Sequence, residues 1–244
     1  MKACALIPAR LDATRFPAKL MQILGDKTVI RHTYDSTVAT GLFSEVFVVT
    51  DSPVIFTEIT VSGGNALMSR NSHESGTDRI AEAAADLDAE VFVNVQGDTP
   101  FVKKEPLEKL LRQFADPSVE VASLMQTLNT EEEIHDPNYV KVVVDKNLDS
   151  LLFSRSPIPY RRDRSAPIEY YEHIGVYAFR KKALLDFTTW PMTPMETVEK
   201  IECLRFLENG IPLRMVLTDY MGVEIDTPAD LEKASEYLLQ RRTV

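Results

Sequence analysis

Two cations and two carboxylates stand at places in this chain where a polyphosphate could be handled. Arg10 and Lys19 lie in Ile7-Pro8-Ala9-Arg10-Leu11-Asp12-Ala13-Thr14-Arg15-Phe16-Pro17-Ala18-Lys19-Leu20, directly after the first apolar run. A loop at the carboxyl end of the first strand is where open α/β sheets bind ligands. An arginine there offers phosphate a planar fork and a lysine a point charge. The GK[ST] ending of a Walker loop is absent, and a solvated surface loop is the alternative. Asp98 ends a second apolar run in Val95-Gln96-Gly97-Asp98-Thr99-Pro100. Mg²⁺ prefers one or two carboxylates plus phosphate oxygens and waters, whereas an aspartate before a proline also suits a plain turn. Asp226, in Val223-Glu224-Ile225-Asp226-Thr227-Pro228-Ala229-Asp230-Leu231, either caps the helix that Pro228 starts or binds a metal, and Asp230 offsets the helix dipole. In Met68-Ser69-Arg70 followed by Glu74-Ser75-Gly76-Thr77-Asp78-Arg79, Ser75 and its neighbours either cap a helix or lay hydroxyl and backbone against a nucleobase.

The elements that must position these groups follow from periodicity. Continuous apolar, β-branched runs at 2–7, 45–50, 66–68 and 90–95 alternate with helical patterns at 28–39 and 78–88. Runs of this kind between helices mean strands buried on both faces, hence a doubly wound, mostly parallel sheet. After about residue 125 the pattern loosens. Strands at 140–145, 150–153 and 174–179 are separated by polar loops carrying Pro157, Pro159 and Pro167, which suits an inserted antiparallel platform that pairs with another subunit. One helix is expected over 194–209, capped by Thr193 with Gly210 just past its end, then a strand at 213–217 and a final helix over 228–240.

The bulk numbers narrow the class. The 244 residues suffice for one large α/β domain or two small ones, and 44% hydrophobic with 26% charged is ordinary for a globular chain. No apolar run reaches the roughly 20 residues of a membrane span, and the N-terminus reads as a buried strand and not as a signal peptide. Cys4 and Cys203 are too few for a disulfide framework, which points to a reducing cytoplasm. His32, His73, His135 and His173 show no zinc-ligand spacing. A net charge of −10 argues against nucleic-acid binding, but the clusters Arg10, Arg15, Lys19 and Arg155, Arg161, Arg162, Arg164 suit a small polyanion.

Taken in order, these segments resemble the 3-deoxy-manno-octulosonate (Kdo) cytidylyltransferase family, the CMP-Kdo synthetases. The resemblance runs from Ile7 to Asp230 and is carried by Ile7 to Leu20, Thr50-Asp51-Ser52, Arg70 with Ser75 to Arg79, and Asn94 to Pro100. It continues through Asn138 to Val144, Phe153-Ser154-Arg155 with Ile158-Pro159, His173 to Tyr177, Glu199 to Arg205 and Ile225 to Leu231. It implies a Rossmann-like nucleotidyltransferase domain over 1–244, with a sugar-binding and dimerisation subregion at 138–190. The implied reaction is attack by the sugar's anomeric 2-hydroxyl on the α-phosphorus of CTP, releasing pyrophosphate, for lipopolysaccharide synthesis. The implied roles are Arg10 and Lys19 on the triphosphate, Arg70, Ser75 and Gln96 on cytosine, and Asp98 and Asp226 on Mg²⁺. Arg155, His173, Tyr177 and Glu202 would line the sugar site of a homodimer that inserts in no membrane.

The chain departs from the family pattern at a few places. Ala18 replaces a glycine, Ala13 a serine, Thr99 a glutamate and Cys203 a glutamine, and Glu224 is acidic where many members are small. Thr99, Cys203 and Glu224 flank proposed metal and sugar residues, so an 8-amino-Kdo acceptor is a reasonable expectation. Alternatives are a same-fold cytidylyltransferase for a sialic or pseudaminic acid, one for a sugar or polyol phosphate, and a non-catalytic nucleotide-binding paralogue.

Overall fold

The computed structural model describes residues 1–11, 16–71, 73, 75–219 and 224–242, with 241 and 242 by their backbone alone. The chain divides into two compact units, Met1–Leu107 with Met221–Val244, and Glu108–Tyr220. The stretch 138–190 lies inside the second.

In the first unit, β1 (Ala3–Ala9) is followed by a two-residue hairpin, β2 (Ile23–Leu24) and β3 (Lys27–Thr28), then α1 (Val29–Ala39). Next come β4 (Glu45–Thr50), α2 (Pro53–Val61), β5 (Ala66–Met68), α3 (Gly76–Asp86), β6 (Val91–Asn94) and α4 (Lys104–Arg112), within which the unit ends. β6, β1, β4 and β5 lie side by side in that order, all parallel. Their apolar runs are continuous because both faces are covered: Ala5, Leu6 and Ile7 of β1 and Val91, Phe92 and Val93 of β6 expose nothing. α1 starts within one residue of its expected position and α3 two residues before its own, whereas no helix had been anticipated at α2; each has a local start signal. Thr28, Ser52 and Ser75 each accept a backbone N–H three residues on, and Pro53 sits in the first turn of α2. All four strands therefore deliver their following loops to the same, carboxyl, end of the sheet.

The second unit is mixed. β7 (Val121–Leu128), α5 (Glu131–His135), β8 (Lys141–Val144), β9 (Ser150–Ser154), β10 (Tyr170–Arg180), α6 (Lys181–Phe187), α7 (Pro194–Glu199), α8 (Leu204–Glu208) and β11 (Leu213–Leu217) follow in order. β7 pairs with β11 in parallel and with β10 antiparallel, and β10 continues antiparallel to β8 and β8 to β9. The antiparallel platform expected from the sequence is present, and β7 supports it. β7 had not been anticipated, because a short apolar run does not declare strand or helix by its period. The chain then returns to the first unit in α9 (Pro228–Arg242).

The single helix expected over 194–209 is two. Lys200 adopts a left-handed conformation (φ 54°, ψ 44°), and α8 begins only at Leu204. The cause is tertiary. Arg155, at the end of β9, donates from Nε to the carbonyl of Glu199 at 2.7 Å and from Nη2 to that of Lys200 at 3.4 Å. The Glu199 carboxylate accepts from Ser154 Oγ and the Arg155 N–H. Carbonyls that a continuing helix would have used are capped by a side chain from another element. Across the break Arg205 grips Glu196 with two hydrogen bonds of 2.8 and 2.6 Å, both side chains buried, and its guanidinium lies 4.0 Å from the Phe187 ring. Phe179, Phe187 and Trp190 pack round Phe206 as the core of this region.

Candidate active site

A cleft of about 270 Å³ opens at the carboxyl end of the first unit's strands. Its walls are the ends of β1 and β6, the turn after β1, the start of α3 and the segment before α9. Gly97 allows the β6 loop to close on β1, since a Cβ there would stand 3.0 Å from the Pro8 carbonyl oxygen and 3.3 Å from Ile30 and Leu20. Thr33 Oγ1 fixes that loop by donating to the Gly97 carbonyl at 2.8 Å.

Lys19 stands at the middle of the cleft. It is carried on a single 3₁₀ turn, Lys19–Met21, entered through Ala18 in a left-handed conformation (φ 50°, ψ 34°). The glycine that the family pattern carries there would suit this backbone better than the alanine. Lys19 Nζ donates to Asp98 Oδ2 at 2.5 Å and to Asp226 Oδ1 at 2.8 Å. Burial opposes its charge, but the two carboxylates outweigh burial and raise its pKa above that of a free lysine.

Asp226 reaches Lys19 because it is not needed as a cap. The Asp230 carboxylate accepts the N–H groups of Asp226 and Thr227 and the Thr227 hydroxyl, while Thr227 Oγ1 accepts the Asp230 N–H. That reciprocal pair starts α9 and takes the capping work left open for Asp226. The Ile225 N–H donates to the Asp98 carbonyl at 3.0 Å, which brings the second acid beside the first.

Arg10, Ser75 and Gln96 also line the cleft. Arg70 does not. Its side chain is 74% exposed and pairs with Asp86 at 2.5 Å. The buried cation of this wall is Arg79, which donates to Asp51 at 2.8 Å and to Ser69 Oγ at 3.2 Å. Arg79 and His73, whose Nε2 is 2.7 Å from Glu82, were not singled out as site residues. Arg79 stands in the quoted Ser75–Arg79 motif, which carried the signal. Asp12, Ala13, Arg15 and Glu74 lie outside the described residues.

A second constellation lies in the second unit. His173 and Tyr177 of β10 have ring centres 5.3 Å apart, and Phe153 stands 4.9 Å from His173. The Tyr177 phenol interacts with the buried Cys203 thiol and with the charge of Glu202. Both residues occupy the break between α7 and α8. Burial, then Cys203 and Glu202, hold the Tyr177 phenol well above its usual pKa, and burial raises the Cys203 thiol. Arg155 is engaged by the carbonyls of Pro137, Glu199 and Lys200. Thr99 is half-buried and Glu224 exposed.

The cytidylyltransferase family pattern matches residues 4–218. A 3-deoxy-manno-octulosonate cytidylyltransferase of Flavobacterium johnsoniae is 55% identical over 241 residues, covering 98% of this chain and 99% of the relative. One of Christiangramia forsetii is 53% identical, covering 96% of each. The chain belongs to the 3-deoxy-manno-octulosonate cytidylyltransferase family. It is a nucleotidyltransferase of the cytidylyltransferase type. A solved CMP:2-keto-3-deoxy-manno-octonic acid synthetase complexed with CTP superposes with a TM-score of 0.94 at 37% identity, over 99% of this chain and 100% of that one. A 4-diphosphocytidyl-2C-methyl-D-erythritol synthase from Anaerococcus prevotii, 16% identical with a TM-score of 0.61, shares the fold.

The residues present fit a divalent cation of the Mg²⁺ kind. Asp98 Oδ1 is buried and has no hydrogen-bond partner among the described residues, and Asp226 shares the same ammonium. Among the described residues no group of three or more His, Cys, Asp or Glu is placed to enclose a metal. Two carboxylates completed by water and phosphate oxygens is the way Mg²⁺ is held, and a closed zinc or calcium cage is not. Among the described residues no helix is long and apolar enough to cross a membrane.

Proposed function

We propose that this chain transfers CMP from CTP to the anomeric 2-hydroxyl of Kdo, releasing pyrophosphate, as a cytoplasmic step of lipopolysaccharide synthesis. The observation that carries the reading is the Lys19–Asp98–Asp226 constellation at the strand ends of a chain that is 55% identical, end to end, to a protein of that name. Arg10 and Lys19 grip the triphosphate and offset the charge that builds on the departing pyrophosphate. Ser75 and Gln96, with Arg79 in place of the exposed Arg70, face the base. Arg155, His173, Tyr177 and Glu202 serve the sugar. Asp98 and Asp226 hold Mg²⁺, which neutralises and orients the α-phosphate when it is bound. The sugar oxygen forms a bond to the α-phosphorus, the α–β phosphoanhydride bond breaks, and the hydroxyl proton passes to solvent. Such transfers need in-line placement and charge neutralisation more than covalent help from the protein.

The reading includes a homodimer. β9 is a sheet-edge strand whose Leu151 is 61% exposed, the kind of edge that a second copy covers. Pyrophosphate release with CTP, Mg²⁺ and a panel of Kdo, 8-amino-Kdo, a sialic acid and a sugar phosphate tests the function. Turnover on Kdo is expected. CTP binding without turnover on any acid sugar would leave a nucleotide-binding protein and not an enzyme of this kind. Light scattering on wild type and Leu151→Lys tests the dimer, with a dimer and a monomer expected in turn.

A further inference from the structure

β10 does not run evenly along β7. Ile174 is opposite Leu124 and Tyr177 is opposite Ser123, so the register slips between them. A slip of this kind leaves backbone carbonyls outside the ladder, and buried carbonyls need donors. Ser123, fully buried, supplies one: its Oγ lies 3.0 Å from the Ile174 carbonyl oxygen and 2.9 Å from that of Val176. The same Oγ lies 3.0 Å from His173 Nε2.

This trio of contacts decides a proton. A serine hydroxyl has a single hydrogen and two lone pairs, and a carbonyl oxygen only accepts. The hydrogen of Ser123 is therefore committed to the two carbonyls. If Nε2 were bare, three acceptors would compete for that hydrogen. With Nε2 protonated, the imidazole donates to a Ser123 lone pair and all three contacts are satisfied. The hydrogen-bond network thus fixes the tautomer. The ring is also fixed in place between Phe153 and Tyr177, and burial pushes its pKa down to about 3, so it is neutral at ordinary pH. Nδ1 is then the one ring atom able to accept a hydrogen bond.

We propose that Ser123 is a positioning residue for the acceptor sugar, holding His173 in the tautomer whose Nδ1 accepts a hydrogen bond from a sugar hydroxyl. The proposal rests on the placement of His173 in the sugar site under the function proposed above. It assigns an end of the substrate: a neutral imidazole that only accepts repels a carboxylate, so His173 meets the hydroxyl-bearing tail and not the acid group.

Nitrogen-15 NMR of the full-length, histidine-labelled protein reads the tautomer directly, through the distinct shifts of protonated and bare ring nitrogens. A neutral ring with Nε2 protonated is expected for His173. A ring protonated at Nδ1 overturns the proposal, and this reading needs no variant. Kinetics supply the second arm. Ser123→Ala is expected to raise KM for Kdo about tenfold, the size of one hydrogen bond, with KM for CTP held within about twofold. Ser123→Thr, which keeps the hydroxyl, is expected to restore both the KM and the tautomer. Equal rises in the two KM values would mean a merely structural serine and would overturn the role. If His173→Ala leaves KM for Kdo unchanged while the wild-type tautomer is as expected, the placement of His173 in the sugar site falls and the role of Ser123 with it. Absence of turnover on Kdo in the wild type overturns the proposed function itself, whatever the tautomer.

Discussion

Lys19 puts one ammonium between two carboxylates, Asp98 and Asp226, that are far apart in the sequence. Under the proposed function the two acids would hold Mg²⁺ and the lysine would turn to phosphate, so each of the three side chains would have a second use. Asp98→Ala and Asp226→Ala are each expected to nearly abolish turnover while circular dichroism stays native. A near-wild-type rate for either at limiting Mg²⁺ would remove that residue from the metal site. Lys19→Ala is expected to lose roughly 1.5–3 kcal/mol of charge-assisted phosphate binding, on the order of ten- to hundred-fold for CTP, with the KM for Kdo little changed. Ala18 offers a test on stability alone. An L-residue in left-handed backbone costs about 1–2 kcal/mol, part of which the looser unfolded chain of a glycine variant offsets. Ala18→Gly should therefore gain about 1 kcal/mol, seen as a rise of roughly 2–4 °C in Tm. A lower Tm would show that the turn is not strained. Position alone left Lys19 a surface-loop alternative, Asp98 a turn and Asp226 a helix cap, and the family resemblance chose among them; the structure brings the three side chains together. Arg70 and Arg79 were not separable, because both lie in one motif and only the packed structure turns one to Asp86 and the other into the cleft.

The break between α7 and α8 shows how an element can be cut by its neighbour. Residues 194–209 have a helical pattern and good caps, and nothing local forbids one helix. Arg155 arrives from β9 and takes the carbonyls at Glu199 and Lys200, which is a tertiary event that no window of sequence contains. The result is useful: Glu202 and Cys203 fall in the gap, beside Tyr177. The two half-helices are held by the buried Arg205–Glu196 pair. Breaking a buried pair by removing one partner costs about 3–5 kcal/mol, because the other charge is left unpaired. Glu196→Ala is expected to lose stability of that order in urea unfolding, and the loss should exceed that of Arg205→Met, because a buried guanidinium left without its partner cannot shed its charge. A loss below about 1 kcal/mol would mean that the pair is not what holds the break. The parallel strands of the first unit, by contrast, were readable almost to the residue, since continuous β-branched runs bounded by polar turns have one good interpretation between helices.

At the scale of the whole molecule, His173 ties stability to acid. The unfolded side chain titrates near 6.5, whereas burial lowers the folded value to about 3. Between those values the unfolded chain binds a proton that the folded chain refuses, so stability falls as pH falls through this window. The slope from this group is about 1.4 kcal/mol per pH unit. Urea midpoints for wild type and His173→Asn, compared at pH 7 and pH 5, should differ more for the wild type. Equal losses in the two proteins would place the acid sensitivity elsewhere.

The bond from the Ile225 N–H to the Asp98 carbonyl also sets a timetable. A chain emerging from the ribosome has Lys19, Asp98 and every wall of the cleft but the segment before α9 within its first 107 residues. Asp226, the second acid beside Lys19, does not exist until the whole of the intervening unit has been made. A polypeptide stopped anywhere in between carries Lys19 and Asp98 without Asp226. The contact of Lys19 with both acids is therefore the last part of the cleft that translation supplies.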